Sequence, residues 1–130
     1  MRTLLLVLAA TAVAALVPIH AQRAGDPAAG AVAWLDHLKT CTPYTYRYPN
    51  PIVPSVTDEN IITGRKDGTC QVTYVIPGPD NSVCQLTAPT IALMTSADQY
   101  QQARTGRFGG SSSDALSQRM TQECTLVKKP

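Results

Sequence analysis

The stretch from Asn60 to Leu86 constrains the fold most, because it holds the clearest strand pattern and the two inner cysteines. Every second position carries an apolar, aromatic or cysteine side chain, at Cys70, Val72, Tyr74 and Ile76. Gln71 and Thr73 lie between them, and this alternation is typical of a strand with one buried face. The centre of the chain is therefore predicted to lie in a half-buried β-sheet.

An Asp67-Gly68 pair separates this strand from a second β-rich segment, Asn60–Gly64. Asp-Gly supplies the positive φ angles that a tight two-residue hairpin needs. We therefore predict an antiparallel hairpin here. A phosphate-binding loop over Gly64–Gly68 is disfavoured, because the strand-to-helix context of such loops is missing.

The N-terminus follows the plan of a secretory signal, residues 1–21. Arg2 provides the charge, an apolar run of 14 residues follows over Leu4–Val17, and small Ala21 suits a cleavage site. This run is shorter than the ~20 residues that a membrane-spanning helix needs. We expect cleavage after Ala21. The alternative, a buried helix of a cytosolic protein, is disfavoured because nothing nearby is polar enough to cover it.

Cleavage would leave one domain, residues 22–130, which is long enough for one core and too short for two. Without Arg2, the eleven Lys and Arg of the chain become ten, against nine Asp and Glu, so the net charge is +1. Proteins that bind nucleic acid carry a strongly basic face, so we expect no nucleic-acid partner. No other apolar run reaches spanning length, and we expect no membrane span.

The mature part contains an even number of cysteines: Cys41, Cys70, Cys84 and Cys124. In an exported chain, this number predicts two disulfides. No two cysteines have the CxxC spacing, and His37 is the single mature histidine. We therefore expect no metal site, no thioredoxin-like redox site and no cofactor.

Strand register narrows the disulfide pairing. The Pro77–Asn81 segment predicts a turn before a short strand, Val83–Thr87. A turn centred on Pro79 would displace Cys84 from Cys70 by about four residues along the ladder, too far for a bond. Each inner cysteine should then pair with the helical layer. The preferred connectivity, which sequence alone does not determine, is Cys41 with Cys70 and Cys84 with Cys124.

Asp26 and Pro27 predict the start of a helix that reaches about Thr40, because Asp caps free amides and Pro is tolerated in the first turn. Apolar side chains at three- and four-residue spacing form its buried stripe, at Ala28, Ala31, Val32, Leu35 and Leu38. Trp34 lies on the flank of that stripe. Gly30 should weaken the helix unless another segment packs closely there.

Two more helices are predicted, from Pro89 to about Ala103 and from about Ser113 to Cys124, with Leu126–Pro130 as a tail. The whole pattern predicts an α+β domain. It has an N-terminal helix, a three- to four-stranded antiparallel sheet, two C-terminal helices packed on one face and two disulfides.

Three alternating tyrosines, Tyr44, Tyr46 and Tyr48, follow the first helix and predict an edge strand or a polyproline-like segment. In either conformation they share one face. That face is either a contact stripe for a partner or a glycan, or a cover for the core with its hydroxyls in water. Asp58 and Glu59 are expected to be solvated acids at a turn.

The glycine- and serine-rich stretch Thr105–Ser113 predicts an exposed loop. Within it, Arg107 and Phe108 form a candidate partner-binding tip, because an apolar ring on such a loop gains little from folding alone. The alternative is that Phe108 folds back onto the core.

Catalytic groups are scarce. His37 shares its helix face with neither Asp36 nor Lys39, and no serine lies in a nucleophile elbow. We therefore favour a binding role over an enzymatic one: a periplasmic or secreted binding or accessory protein, with a protein of the cell envelope as its possible partner. The candidate binding residues are Tyr44, Tyr46, Tyr48, Arg107 and Phe108.

Two alternatives stay open. One is a small hydrolase of cell-wall material that uses His37 with Asp36 or Asp58. The other is an inhibitor of a secreted enzyme, in which the glycine-rich loop is the inserting element.

Overall fold

A computed structural model describes residues 26–106 and 113–130, which form four helices and five strands. In chain order these are α1 (Pro27–Thr40), β1 (Tyr44–Pro49), β2 (Thr57–Lys66), β3 (Thr69–Val75), β4 (Asp80–Leu86), α2 (Ala88–Met94), α3 (Ala97–Arg104), α4 (Asp114–Glu123) and β5 (Cys124–Lys128). The strands form one antiparallel sheet in sequential order, β1 to β5. The α+β class and the N-terminal helix are confirmed.

Both disulfides have the preferred connectivity, Cys41 with Cys70 and Cys84 with Cys124. The first joins the C-terminal end of α1 to β3. The second joins β4 to β5, where the two cysteines are direct register partners.

The number of strands differs from the predicted three or four, because the segment expected to be a tail forms β5. The edge of β4 offers unpaired backbone groups, and a strand that pairs there satisfies them. The neighbouring disulfide holds the segment against that edge, and Thr125 and Val127 have β-branched side chains that favour a strand.

The central hairpin is confirmed. Asp67 and Gly68 both have positive φ angles, 50° and 80°, as the tight turn between β2 and β3 requires. The next turn is centred on Gly78 and not on Pro79. The strand register shows this, since Val72 faces Cys84, whereas a turn centred on Pro79 would place Val72 opposite Leu86. The offset between the two inner cysteines is therefore two residues instead of four.

Helix α1 begins where predicted, since the Asp26 carboxylate accepts a hydrogen bond from the amide of Ala28 at 3.0 Å. Its buried face consists of Ala31, Trp34, Leu35 and Leu38. Trp34 is thus fully buried and not on the flank. Helix α1 is rotated about its axis so that Trp34 faces the core, because burying the large indole removes more apolar surface from water than burying Val32 does.

The helix predicted from Pro89 to Ala103 is two helices, α2 and α3. The Ser96 hydroxyl accepts a hydrogen bond from the Gln99 amide and so caps α3, while the Thr95 hydroxyl donates to the carbonyl of Ile91. Such side-chain bonds compete with helix continuation and explain the break. Helix α4 starts as predicted, capped by Ser113.

The helices pack on one face of the sheet, and the core lies between the two layers. Its centre consists of Leu35 and Leu38 from α1 against Ile62, Val72, Cys84 and Leu86 from the sheet. In the two described ranges, no helix combines the length and the apolar character needed to cross a bilayer.

Candidate functional site

A cavity of about 610 Å³ lies beside the core, between the sheet and the helices. Its floor comes from four neighbouring strands and its walls from all four helices. The floor residues are Tyr46 and Tyr48 of β1, Asn60 of β2, Tyr74 of β3 and Ser82 of β4. The sheet's inner face therefore has two parts, one filled by core side chains and one that floors this cavity.

Four of the floor residues form one row across the sheet, because each lies directly opposite the next in the strand register. Tyr46 faces Asn60, Asn60 faces Tyr74, and Tyr74 faces Ser82. Facing side chains of neighbouring strands lie about 5 Å apart at their Cβ atoms. We call these four residues the floor row. Every member carries a polar atom, in a cavity whose walls are mainly apolar.

The walls are apolar and aromatic. Trp34 of α1, Met94 of α2 and two residues of α4, Leu116 and Met120, belong to this surface. Gln99 of α3 adds a polar side chain. Methionine side chains adapt easily to the shape of what they contact, so two of them make this wall adjustable.

The tyrosines of β1 face the helices rather than solvent. Tyr46 is 7% exposed, and its hydroxyl donates a hydrogen bond of 3.0 Å to the carbonyl of Pro27. Its ring stacks on that of Tyr48 at 5.0 Å between centroids. Both residues line the cavity. Tyr44 lies outside it and stacks on the His37 ring at 4.3 Å.

Gly30 explains how the Tyr46 ring comes so close to α1. A Cβ atom at this position would lie 2.6 Å from Cε2 of Tyr46, closer than such atoms approach. The glycine that weakens the helix thus makes room for a cavity-lining ring. This is the close packing of another segment that was expected to offset the cost of Gly30.

Tyr74 is the most unusual floor residue, because its hydroxyl oxygen is buried and has no hydrogen-bond partner among the described residues. Its ring lies 6.3 Å from that of Trp34. Burial, with a smaller contribution from Tyr48, raises the pKa of Tyr74 far above its usual value. The hydroxyl is therefore protonated at neutral pH, with a proton that no described residue accepts. Buried polar groups are rarely left unpaired, so this one calls for a physical reason.

Asp58 is not the solvated acid expected at a turn; it lies within β2 and is 5% exposed. Its Oδ2 accepts a 2.8 Å hydrogen bond from Nδ2 of Asn50. The Oδ1 of Asn50 accepts hydrogen bonds from the amides of Ile52 and Val53. This pair holds the loop that brings Pro51 to the cavity. The reason for the burial is the register of β2, which turns Asp58 towards the inner face.

Glu59, the neighbouring acid, points to the other face of the sheet. Its Oε1 accepts a hydrogen bond of 2.8 Å from Nε of Arg47, the register partner of Glu59 on β1. The pair is largely exposed and makes no contribution to the cavity.

The structure does not gather His37 with carboxylates. His37 interacts with Thr42 at 3.2 Å and with the Tyr44 ring, and it does not line the cavity. Asp36 accepts a hydrogen bond from the Tyr100 hydroxyl at 2.8 Å instead. In the described parts of the chain, no three His, Cys, Asp or Glu residues lie close enough to hold a metal ion.

The sequence identified two of the cavity residues, Tyr46 and Tyr48, as candidate binding residues. Arg107 and Phe108, the other part of that candidate set, lie outside the described residues. The sequence did not identify the other cavity residues, which include Trp34, Asn60, Tyr74, Ser82 and the α4 residues. An apolar stripe looks the same in sequence whether it faces a packed core or a cavity, so only Tyr74, a phenol on the inner face of a central strand, gave a signal.

Comparisons with known proteins find no match: no protein-family model fits the chain, and no curated protein or solved structure is significantly similar to it.

Proposed function

We propose that this chain is an exported binding protein that holds a small, mainly apolar molecule in the cavity between its sheet and its helices. The cavity volume, about 610 Å³, falls within the range of roughly 300–1,000 Å³ that is usual for small-molecule sites. Such sites are lined by apolar and aromatic side chains with a few polar groups, which matches the walls and the floor row.

The Tyr74 hydroxyl carries this proposal. A buried donor without a partner costs about 1–3 kcal/mol, and a core that needed only packing would be served as well by phenylalanine. The Tyr74 side chain lines the cavity and neighbouring atoms cover its hydroxyl oxygen, so a bound molecule reaches the hydroxyl once the ring turns towards the cavity. The same ring would also provide apolar contact to that molecule.

Two disulfides support an oxidising compartment. The periplasm or the extracellular space is the compartment we propose, with removal of residues 1–21 as the secretory signal. A binding role also suits a chain in which His37, the one histidine of the mature part, forms a hydrogen bond with Thr42 and stacks on Tyr44. We retain Tyr46 and Tyr48 as binding residues for the ligand, now as part of the cavity.

The test uses N-phenyl-1-naphthylamine, a neutral dye that fluoresces strongly in apolar surroundings. We expect saturable binding to the oxidised protein, with quenching of Trp34, the only tryptophan in the sequence and a cavity residue. The substitution Ser82→Phe should abolish this binding, because the new ring rises from the cavity floor. Val83→Phe, the next residue of the same strand on the opposite face, is the matched control.

Binding that is equally strong in the Ser82→Phe protein, with a circular dichroism spectrum like that of the wild type, would contradict the proposed site. So would the absence of saturable binding in the wild type. Loss of binding in both phenylalanine variants would show that the dye reads the stability of the sheet, and would also contradict the proposal.

A further inference from the structure

The floor and walls of the cavity differ in chemistry, and this difference specifies the class of molecule. Building on the proposed function, we infer that the ligand is an uncharged, flat, ring-containing molecule with an oxygen acceptor, such as a carbonyl, that accepts a hydrogen bond from the Tyr74 hydroxyl.

The absence of charge follows from the lining. Among the described residues that line the cavity, none is Asp, Glu, Lys, Arg or His. Moving an ion from water into such a site costs several kcal/mol unless an opposite charge meets it. A buried carboxylate, that of Asp58, lies on β2 two residues before the floor residue Asn60 and does not itself line the cavity. Its Oδ2 accepts a hydrogen bond from Asn50, and its Oδ1 has no partner among the described residues. An anion would be repelled by this carboxylate, so anionic ligands are disfavoured most.

Flat rings follow from the aromatic side chains. Trp34 and Tyr74 meet at a tilt of 52°, and Tyr46 and Tyr48 stack with 25° between their planes. Aromatic rings prefer offset-stacked or edge-to-face neighbours, and both arrangements can be extended by another flat ring. The adaptable side chains of Met94 and Met120 can close over the opposite side of the ring system.

The oxygen acceptor follows from the floor row. Of its four members, Tyr46 already donates its hydroxyl hydrogen to Pro27, and Asn60 accepts a hydrogen bond from Tyr48 at 3.4 Å. The Tyr74 hydroxyl has no partner among the described residues and lies between Asn60 and Ser82 in the row. The high pKa of this phenol keeps its proton in place, so it can meet an acceptor. An uncharged oxygen provides one without the cost of burying an ion.

The charge requirement is tested with two dyes that share one skeleton. N-phenyl-1-naphthylamine is neutral, and 1-anilinonaphthalene-8-sulfonate carries one added sulfonate. We expect the neutral dye to bind the oxidised protein and the sulfonate to bind at least about tenfold more weakly, a difference of about 1.4 kcal/mol. Equal or stronger binding of the sulfonate, blocked by Ser82→Phe, would overturn the inference about charge and leave the cavity site in place.

The acceptor is tested with 6-propionyl-2-(dimethylamino)naphthalene, a neutral flat ketone, and its 6-propyl analogue, which lacks the carbonyl. We expect Tyr74→Phe to weaken binding of the ketone by about 3- to 10-fold and to leave the propyl analogue unchanged. Tyr44→Phe removes a hydroxyl from a residue outside the cavity and should change neither. Emission of the bound ketone should shift to shorter wavelength in Tyr74→Phe, because its carbonyl loses a hydrogen bond.

Folding of the Tyr74→Phe variant is not expected to interfere, since the substitution removes an unpaired buried hydroxyl. Its melting temperature serves as the check. Equal losses for the ketone and the propyl analogue would overturn the role of Tyr74 as donor. If neither the ketone nor the propyl analogue binds the wild type, the proposed binding function itself fails. The two dyes therefore distinguish failure of the cavity site from failure of the donor role of Tyr74.

Discussion

At the scale of single residues, Gly30 and Tyr46 show how a local cost serves the site. Glycine in a helix interior is less favourable than alanine by about 1 kcal/mol. The Tyr46 ring occupies the space that a side chain at Gly30 would need, and its hydroxyl is bound to Pro27. The ring therefore has little freedom to move away.

The variant Gly30→Ala is expected to be less stable than the wild type, against the helix propensity of the two residues. The gain in propensity is about 1 kcal/mol, whereas overpacking of this kind costs about 1–3 kcal/mol. Urea unfolding measures the difference. In a Tyr46→Ala background, where the ring is absent, the same substitution should become stabilising, and a loss of equal size in both backgrounds would contradict the assigned clash.

Residue-scale prediction from sequence succeeded where one residue type has one physical use. Asp67-Gly68 was identifiable as a turn because few residues tolerate its φ angles, and Asp26-Pro27 as a helix start because of its capping chemistry. It failed for Trp34 and Asp58. Their burial depends on how α1 and β2 are turned against their neighbours, which no local pattern contains.

At the scale of elements, Glu123 joins the end of α4 to the start of α2. Its carboxylate accepts hydrogen bonds from the amide and hydroxyl of Thr87 and from the hydroxyl of Thr90, at 2.7–3.0 Å. Thr87 provides no side-chain cap for α2, so Glu123 takes that role from a distant part of the sequence. Burial alone would raise the pKa of Glu123, but these hydrogen bonds and Arg119 lower it overall.

We expect Glu123→Gln to lower the free energy of unfolding by about 1–2 kcal/mol at pH 7. Because the pKa of Glu123 is lower in the folded state, its contribution is present above the unfolded pKa, about 4.3, and is lost as the pH falls through the folded pKa. The difference between variant and wild type should therefore shrink from pH 6 to pH 3 in urea unfolding experiments.

The matched control for this prediction is Glu59→Gln. Glu59 forms an exposed ion pair with Arg47, and such pairs contribute little to stability. We expect a change of less than about 1 kcal/mol at pH 7. A larger effect from Glu59→Gln than from Glu123→Gln would argue against Glu123 as the cap of α2.

Among the elements, the central hairpin, α1 and α4 could be predicted because their signals lie within a few neighbouring residues. The break at Thr95–Ser96 and the strand β5 could not. The break forms because the hydroxyl groups of Thr95 and Ser96 make hydrogen bonds that end α2 and cap α3. The strand β5 forms because β4 offers a free edge and Cys84 bonds to Cys124. Both causes become visible only when the sheet exists.

At the scale of the whole molecule, the disulfides lie beside the cavity without lining it. Cys84 faces Val72 and Cys124 in the row of the sheet next to the floor row. The Cys84 sulfur lies 3.9 Å from the hydroxyl oxygen of Ser82, a member of the floor row. One covalent link thus borders the surface that we propose to bind a ligand.

Removing either disulfide by paired Cys→Ala substitution should lower the free energy of unfolding by about 4 kcal/mol on the loop-entropy account. The two bridges span 29 and 40 residues of sequence, so the expected losses are similar. Dye affinity of the protein that stays folded should change little, because no cysteine lines the cavity and the single contact of a bridge with the floor row is that of Cys84 with Ser82 at 3.9 Å. Loss of binding in a variant that circular dichroism shows to be folded would contradict this expectation.

The α+β class and the helix-covered face were predictable, because they follow from alternation and helical spacing. The cysteines pair as preferred, but sequence alone does not determine this pairing: the offset of Cys84 is two residues, not four, and its partner Cys124 lies on a strand and not in the helical layer.

The cavity was not predictable. A row such as Tyr46, Asn60, Tyr74 and Ser82 is assembled from four strands, and its members lie far apart along the chain. Sequence patterns indicate which face of a strand or helix points inward. The volume of the cavity between the sheet and the helices depends on the size and position of all the side chains that line it, and no local pattern contains this.

The sequential order of the strands bears on how the chain is made. β2, β3 and β4 each pair with the strand synthesised just before them, so all residues of the cavity floor have been synthesised once the chain reaches Leu86. The wall that carries Leu116 and Met120 emerges about thirty residues later. The strands of the floor therefore precede the last helix of the wall in chain order, and a ligand bound as we propose is enclosed only when α4 has folded.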